Sequence, residues 1–180
     1  AWALAAAFAL LAGLYSVATP LFEASDELWH YPLVRHLAQG GSLPVQDPAA
    51  PAAWRQEGSQ PPLYYTLAAL LTRGVPQDDL ETLLPRNPHA DIGNPTPDGN
   101  ANMVVHRPDE RAIWSGTALA VRLARGFSVL LGALTVLLAY GLGLEALPRR
   151  PDLALAGGAI VAFTPMFLFI SGSVNNDNLL

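Results

Sequence analysis

The stretch Gly126–Leu144 reads GFSVLLGALTVLLAYGLGL, nineteen residues without a charged side chain. An α-helix needs about 20 mostly apolar residues to cross the hydrocarbon core of a bilayer, which is ~30 Å thick. Ala1–Phe22 and Leu153–Ile170 are also free of charge, and Pro165 predicts a bend in the latter. The sequence therefore predicts an all-α integral membrane protein with three transmembrane helices, over residues 1–22, 118–147 and 152–171.

The composition indicates a membrane protein with one polar insert. The chain has 180 residues, of which 51% are hydrophobic and 14% are charged, whereas soluble domains carry about 25% charged residues. Twelve of the 15 acidic residues and 13 of the 16 prolines lie between Pro20 and Arg111. We therefore expect a long extracytoplasmic loop over residues 23–117 and the start of a second one over residues 172–180.

The same composition excludes several kinds of site and partner. The chain has no cysteine, so disulfides, thiolate metal sites and cysteine nucleophiles are excluded. Its formal charge is −5, and its ten basic residues are arginines spread along the sequence. Because this spacing gives no basic stripe for a phosphate backbone, we expect no nucleic-acid partner.

Both ends of the chain lie in or beside apolar sequence. Ala1 already belongs to the first uncharged run, and the chain stops soon after the third one. We expect the chain to be the N-terminal piece of a longer polypeptide, whose remainder would be its partner. The first run has an alternative interpretation as a signal peptide, because Ser16-Val17-Ala18 fits a small-x-small cleavage site.

Arginines between the uncharged runs predict the topology. Residues 145–152 form a short connection that contains Arg149 and Arg150, and short arginine-rich loops usually face the cytoplasm. Alternation then places the 23–117 loop and the C-terminal tail on the same outer face. Arg122 and Arg125 oppose this orientation, unless they snorkel to the interface or bind a phosphate or an acidic partner.

The outer loop opens with a predicted helix over Ser25–Gln39. Ser25 can cap this helix, acidic residues occupy its first turn, and glycines follow its end. Pro32 predicts a bend or a split within it. On a helical wheel, Asp26 and His30 share a face with apolar residues, whereas Arg35 lies on another face. Because buried polar groups need partners, the Asp26 and His30 face is a candidate for chemistry.

A second helix is predicted beside the membrane, over residues 61–73. This stretch is apolar but too short to span a bilayer, so we expect an interfacial helix with Tyr64 and Tyr65 at headgroup level. From residue 75 to residue 114, proline, asparagine, aspartate and glycine occur without periodicity. Such a composition predicts an irregular loop.

Three motifs of the outer face resemble a known class of enzymes. They are Asp26-Glu27 after the first run, the segment QPPLYY at Gln60–Tyr65, and Asn175-Asn176-Asp177 after the third run. The combination resembles the membrane glycosyltransferases of the GT-C class, particularly the glycosyltransferase family 39-like protein O-mannosyltransferases and aminoarabinose transferases of bacteria. The resemblance covers nearly the whole chain and implies a multi-pass location in the bacterial plasma membrane.

This resemblance implies that a sugar moves with inversion from a polyprenyl-phosphate donor to an acceptor hydroxyl at the outer face. Asp26 and Glu27 match the acidic pair that carries the catalytic base, which removes the hydroxyl proton as the phosphate leaves. Arg125 matches an arginine in an Arg-x-x-Ser motif. The implied partners are the lipid-linked sugar donor and membrane lipids. The implied substrate-binding residues are His30, Gln60, Tyr64, Tyr65, Arg125, Asn176 and Asp177.

Each signal also has a simpler interpretation. Acids at a helix start can merely complement the helix dipole, tyrosines can form an interfacial belt, and Asn175-Asn176-Asp177 can form a cap or turn. A divalent cation held by Asp26, His30 and Asp177 is an alternative, and no other cofactor is predicted. The alternative function is a transporter or a non-enzymatic integral membrane protein that binds a polar ligand. Clean spans with the acids outside the bilayer favour the enzyme.

Overall fold

The computed structural model describes residues 1–24, 26–47, 49, 52–90, 101–108, 110 and 114–179. Every regular element within these ranges is helical, and the pairing of Arg86 with Val104 is an isolated β-bridge. The predicted all-α class is therefore confirmed. The α-helices are α1 (Trp2–Ala18), α2 (Glu27–Ala38), α3 (Leu63–Thr72), α4 (Leu80–Leu83), α5 (Gly116–Ala146), α6 (Pro151–Ala162) and α7 (Pro165–Ser171), and short 3₁₀-helices cover Arg55–Ser59 and Asn176–Leu179.

Among the described helices, α5 alone is long and apolar enough by itself to cross a membrane. It has 31 residues and a mean hydropathy of 2.1 over its most apolar window, and its length is about 46 Å at 1.5 Å per residue. α1 has 17 residues and ends at Ala18, before the predicted Phe22. Thr19 is extended because the residue before a proline, here Pro20, is disfavoured in the helical conformation. Three transmembrane helices are therefore not confirmed.

The third predicted span is a broken pair of helices. α6 and α7 meet at an angle of 62°, with Thr164 extended and Pro165 opening α7. The predicted bend is confirmed, and its cause is again the restriction that a proline places on the residue before it. The expectation of clean spans is wrong for this segment, because residues 163 and 164 interrupt it.

α1, α5, α6 and α7 pack around a small apolar core. Phe8, Ala12, Val136 and Ala162 are fully or almost fully buried in it. Close approach requires Gly132 of α5, because a Cβ there would lie 2.6 Å from the Ser171 hydroxyl oxygen and 2.8 Å from the Phe8 ring. On another side of α5, leucines exposed at four-residue intervals form an apolar stripe: Leu130, Leu134, Leu138 and Leu142.

The outer segments pack over the N-terminal part of α5 as a second core. Residues 27–34 of α2 are all buried, and α2 runs without interruption through Pro32. The predicted split is therefore wrong. Proline removes one backbone N–H from the helix, but packing on several sides of α2 holds the helix together. Ser25, the predicted cap, lies outside the described residues.

A histidine joins the far end of the outer loop to the end of α1. His106 lies 2.8 Å from Glu23 through Nε2 and 2.8 Å from Glu110 through Nδ1. Glu23 also accepts hydrogen bonds from the backbone N–H groups of Met103 and Val104, and Glu110 accepts one from Leu21. The loop predicted to be irregular thus has a fixed attachment, and it also contains the short helix α4.

Candidate functional site

A buried ion pair between Glu27 and Arg125 supports the site. The Arg125 side chain is 1% exposed and that of Glu27 is fully buried. Nε of Arg125 donates to Glu27 Oε1 over 2.8 Å, and Nη2 donates to Oε2. Glu27 also accepts the backbone N–H of Phe22 at 2.9 Å and that of Val174 at 2.9 Å. The pair therefore joins α2, α5 and the C-terminal tail.

The geometry of this pair leaves no capacity for a substrate. Arg125 has five N–H donors; two go to Glu27, and three go to the carbonyl oxygens of Ser16, Thr19 and Pro20. A guanidinium enclosed in this way neither snorkels nor contacts a phosphate. Of the three alternatives predicted for Arg125, which are snorkelling, a phosphate and an acidic partner, the structure matches the acidic partner. Each carboxylate oxygen of Glu27 likewise accepts two hydrogen bonds. Glu27 therefore has a positioning role and not that of a base.

Asp26 differs from Glu27 in exposure, backbone conformation and hydrogen bonding. It is partly exposed and adopts a left-handed conformation with φ 54° and ψ 0°, which is uncommon for a residue other than glycine. Its carbonyl oxygen accepts the N–H groups of Trp29 and His30 at the start of α2. No described group hydrogen bonds to its carboxylate, which does not cap the helix. The carboxylate is therefore free to act on a ligand.

A hydrogen-bonded chain of three buried side chains lies beside Asp26. The hydroxyl of Tyr65, on α3, lies 2.7 Å from Nδ1 of His30 and donates to Oδ1 of Asn176 over 3.2 Å. Because the hydroxyl proton is directed to Asn176, Nδ1 of His30 carries the proton that is shared with Tyr65. Nδ2 of Asn176 is buried without a hydrogen-bond partner in the described part of the chain. The chain thus ends in a donor that a ligand oxygen would satisfy.

Burial, together with the neighbouring acidic residues, determines the electrostatics of this cluster. Burial lowers the pKa of His30, although the negative charges of Asp26, Asp177 and Glu27 oppose that shift. His30 is consequently neutral at pH 7. Burial and the neighbouring Asp26 raise the pKa of Glu57, whose carboxylate lies 3.6 Å from Nδ1 of His30. Asp177 is exposed at the edge of the cluster.

The remaining predicted site residues lie apart from this cluster or at its edge. Tyr64 is buried, and its hydroxyl contacts Oγ of Ser128 at 2.7 Å, so it joins α3 to α5. Both tyrosines are at most 1% exposed, so their rings pack inside the protein and do not form an exposed aromatic belt. Gln60 is exposed and, together with Tyr65, lines a cavity of about 160 Å³. Asn175 accepts the N–H of Asp177 and forms the predicted turn.

The described residues contain no group of three or more histidine, aspartate or glutamate side chains placed to hold a metal ion. The alternative cation site of Asp26, His30 and Asp177 does not assemble. Asp26 and Asp177 both act electrostatically on His30. Arg125 lies behind them, enclosed by backbone carbonyls.

Sequence reasoning missed Glu57. Its segment, Arg55–Ser59, has no apolar periodicity and no recognisable motif, and it folds as a 3₁₀-helix. The signal available was a lone acid three residues before Gln60, and nothing in that spacing indicates burial. Comparison of the chain with models of protein families, with curated proteins and with solved structures finds no match.

Proposed function

We propose that the chain forms the base-bearing part of an inverting glycosyltransferase of the bacterial plasma membrane, which moves a sugar from a polyprenyl-phosphate donor to an acceptor hydroxyl. The acceptor oxygen attacks the anomeric carbon, and Asp26 takes the hydroxyl proton. The bond between that carbon and the phosphate oxygen breaks, and its electron pair leaves with the phosphate. A single displacement of this kind inverts the configuration at carbon.

One observation carries the proposal. The Asp26 carboxylate is partly exposed and unbonded. It interacts electrostatically with His30, four residues along the chain, and with Glu57, from a remote segment, and Asp177 acts on the same two groups. A general base must be able to reach the proton that it removes, and of the two predicted acids Asp26 meets this requirement. The Tyr65 hydroxyl is fully buried and bonded to His30 and Asn176, so it positions these two side chains beside Asp26.

The exposed surface of α5 supports a membrane location for the proposed enzyme. A core helix of a soluble protein is mostly buried, but only 22% of the most apolar window of α5 is buried. The leucines at 130, 134, 138 and 142 form the outward stripe, which suits contact with lipid tails. α1 and the bent pair of α6 and α7 then lie beside α5 in the bilayer, with the 23–117 loop outside.

The decisive experiment replaces Asp26 with asparagine and measures release of polyprenyl phosphate from polyprenyl-phosphate mannose in the presence of a serine- and threonine-containing peptide. A general base contributes about 10²- to 10⁴-fold to a rate, so D26N should lower transfer by that factor. Its thermal unfolding should match that of the wild type, because the carboxylate accepts no hydrogen bond. D78N is the matched control, since Asp78 is an exposed aspartate of the same loop. Wild-type turnover by D26N would overturn the proposal.

The transporter alternative has one observation in its favour. The 62° break between α6 and α7 is typical of transporters, which place polar ligands at broken helices. At the break, the hydroxyl of Thr164 donates to the carbonyl of Ile160. The acidic residues Asp26, Glu57 and Asp177 do not lie at the break, and Asp177 follows the end of α7. Uptake of labelled sugar into proteoliposomes that lack any lipid-linked donor would favour the transporter over the enzyme.

A further inference from the structure

A cavity on a different side of α2 gathers positive charge. It has a volume of about 380 Å³ and is lined by Arg35 and Arg86, with His36 and Trp54 as an aromatic wall. Pockets that bind small molecules occupy about 300–1,000 Å³, so this cavity is large enough for an organic ligand. Arg35 is half-buried and Arg86 is exposed, which leaves the cavity open to solvent.

This cavity is separate from the Asp26 cluster. At 3.6 residues per turn, His30, Leu33 and Leu37 lie on one face of α2. The residues of α2 that line the cavity are Pro32, Arg35 and His36, whose mean direction is about 140° around the helix from that face. A ligand in the cavity therefore cannot contact both Arg35 and His30, the α2 residue of the Asp26 cluster.

The guanidinium groups at this cavity form no ion pair within the described residues. This holds for Arg35 and Arg86, and Glu81, which also lines the cavity, pairs with neither of them. Asp79 attracts Arg35 without an ion pair, and its carboxylate accepts the backbone N–H of Thr117 at 2.8 Å. The positive charge at the cavity therefore remains without a bonded acid.

A tryptophan ring brings further positive charge to the same region. Arg55 and Arg86 lie against the ring of Trp29, at 4.7 Å and 5.5 Å from its centroid. Burial and the neighbouring Arg55 lower the pKa of Arg86. The second of these causes is the repulsion between two guanidinium groups, which a bound anion would relieve.

Two buried donors here also have no acceptor. Nε of Arg35 and Nε1 of Trp29 are both buried without a hydrogen-bond partner in the described part of the chain, and the Trp29 residue is 7% exposed. Unpaired buried polar groups are rare in native proteins and call for an explanation. Of the two, Arg35 lines the cavity, so an anion bound there would satisfy its Nε donor and its charge together.

We propose that the Arg35 and Arg86 cavity binds a phosphomonoester dianion, with the organic part of the ligand against Trp54. Guanidinium groups bind phosphate oxygens through paired, charge-assisted hydrogen bonds. Nε2 of His36 is engaged with the carbonyl of Ser42 at 2.9 Å, and its ring lies 4.6 Å from that of Trp54, which fixes the wall. The site is independent of the proposed sugar transfer.

The test titrates the full chain in phosphatidylcholine nanodiscs with inorganic phosphate and with phenyl phosphate, by isothermal titration calorimetry. We expect saturable binding of one ligand per chain, tighter for phenyl phosphate. R35Q and R86Q should each weaken binding by about tenfold or more. R73Q is the matched control, because Arg73 is an exposed arginine of the same loop that lines a different cavity. D26N should bind phosphate as the wild type does.

The source of the phosphate is distinguished by repeating the titration in nanodiscs that contain phosphatidic acid. Loss of free phosphate binding to the wild type there identifies a lipid headgroup as the occupant. Equal binding in both nanodiscs identifies a water-soluble phosphomonoester. Absence of saturable binding to the wild type up to about 10 mM ligand overturns the proposal. The proposal is also overturned if R73Q weakens phosphate binding as much as R35Q does.

Discussion

Replacing Arg125 with methionine should destabilise the protein far more than the same exchange at an exposed arginine. Methionine fills part of the same volume but supplies none of the five N–H donors. The Glu27 carboxylate then stays fully buried and keeps only the backbone N–H groups of Phe22 and Val174. Three carbonyl oxygens at the end of α1 lose their donors too.

The magnitude follows from the burial of the pair. Removing one partner of a buried ion pair costs about 3–5 kcal/mol, because the other charge remains uncompensated. Stability of a whole domain is about 5–15 kcal/mol, so R125M removes a large part of it. At about 2–4 °C per kcal/mol for a chain of this size, the midpoint of thermal unfolding should fall by about 6–20 °C.

A double-mutant cycle separates the ion pair from general packing. E27Q/R125M removes both charges, so its loss should be smaller than the sum of the two single losses by about 0.5–3 kcal/mol. The assay is thermal unfolding in nanodiscs, followed by far-ultraviolet circular dichroism. R150M is the control, because Arg150 and Asp152 form an ion pair in which both side chains are more than half exposed, and no measurable change is expected. A loss below about 1 kcal/mol for R125M, or simple additivity in the cycle, would refute the reasoning.

Two further predictions concern the loop attachment and the polar chain. Burial alone would lower the pKa of His106, but its hydrogen bonds with Glu110 and Glu23 raise it above 6.5. The stabilisation of the fold by protonated His106 is complete below about pH 6.5 and is lost as the pH rises through the raised pKa. Hydrogen exchange of the attached backbone should therefore increase with pH beyond the intrinsic rate, and H106Q should abolish that excess. Y65F should lower stability by about 1–3 kcal/mol and should also lower sugar transfer. Y64F should lower stability alone. Equal rates of sugar transfer by the two variants would contradict the placement of Tyr65.

The helices can be predicted from the sequence where apolar runs are long, and their ends can be predicted less well. Most of α5 follows from the uncharged run Gly126–Leu144, and the bend before α7 follows from Pro165. α2 is continuous through Pro32 because residues of several segments bury it, and local sequence contains no measure of such packing. The end of α1 at Ala18 is marked by Pro20, whose effect on the preceding residue outweighs the hydropathy that continues to Phe22.

The candidate site shows the same division between residue type and environment. Asp26 and Glu27 are adjacent acids that the sequence cannot tell apart, yet one is enclosed and the other is free. They also differ in backbone conformation, because Asp26 is left-handed and precedes α2, whereas Glu27 is its first residue. For Arg125 the sequence predicts either a phosphate or an acid as partner, and only the folded chain decides between them.

The arginines make the limit of sequence reasoning most concrete. Arg35, Arg55 and Arg86 are separated by 20 and 31 positions, so a one-dimensional search for basic patches finds none. Trp29 brings two of them together through its ring, and α2 carries the third. Arg35 and Arg86, 51 positions apart, thus line one cavity with Arg55 nearby, while Arg125, the arginine with a recognisable motif, is paired with Glu27 inside the protein. For this chain, anion binding is a property of the fold and not of any segment.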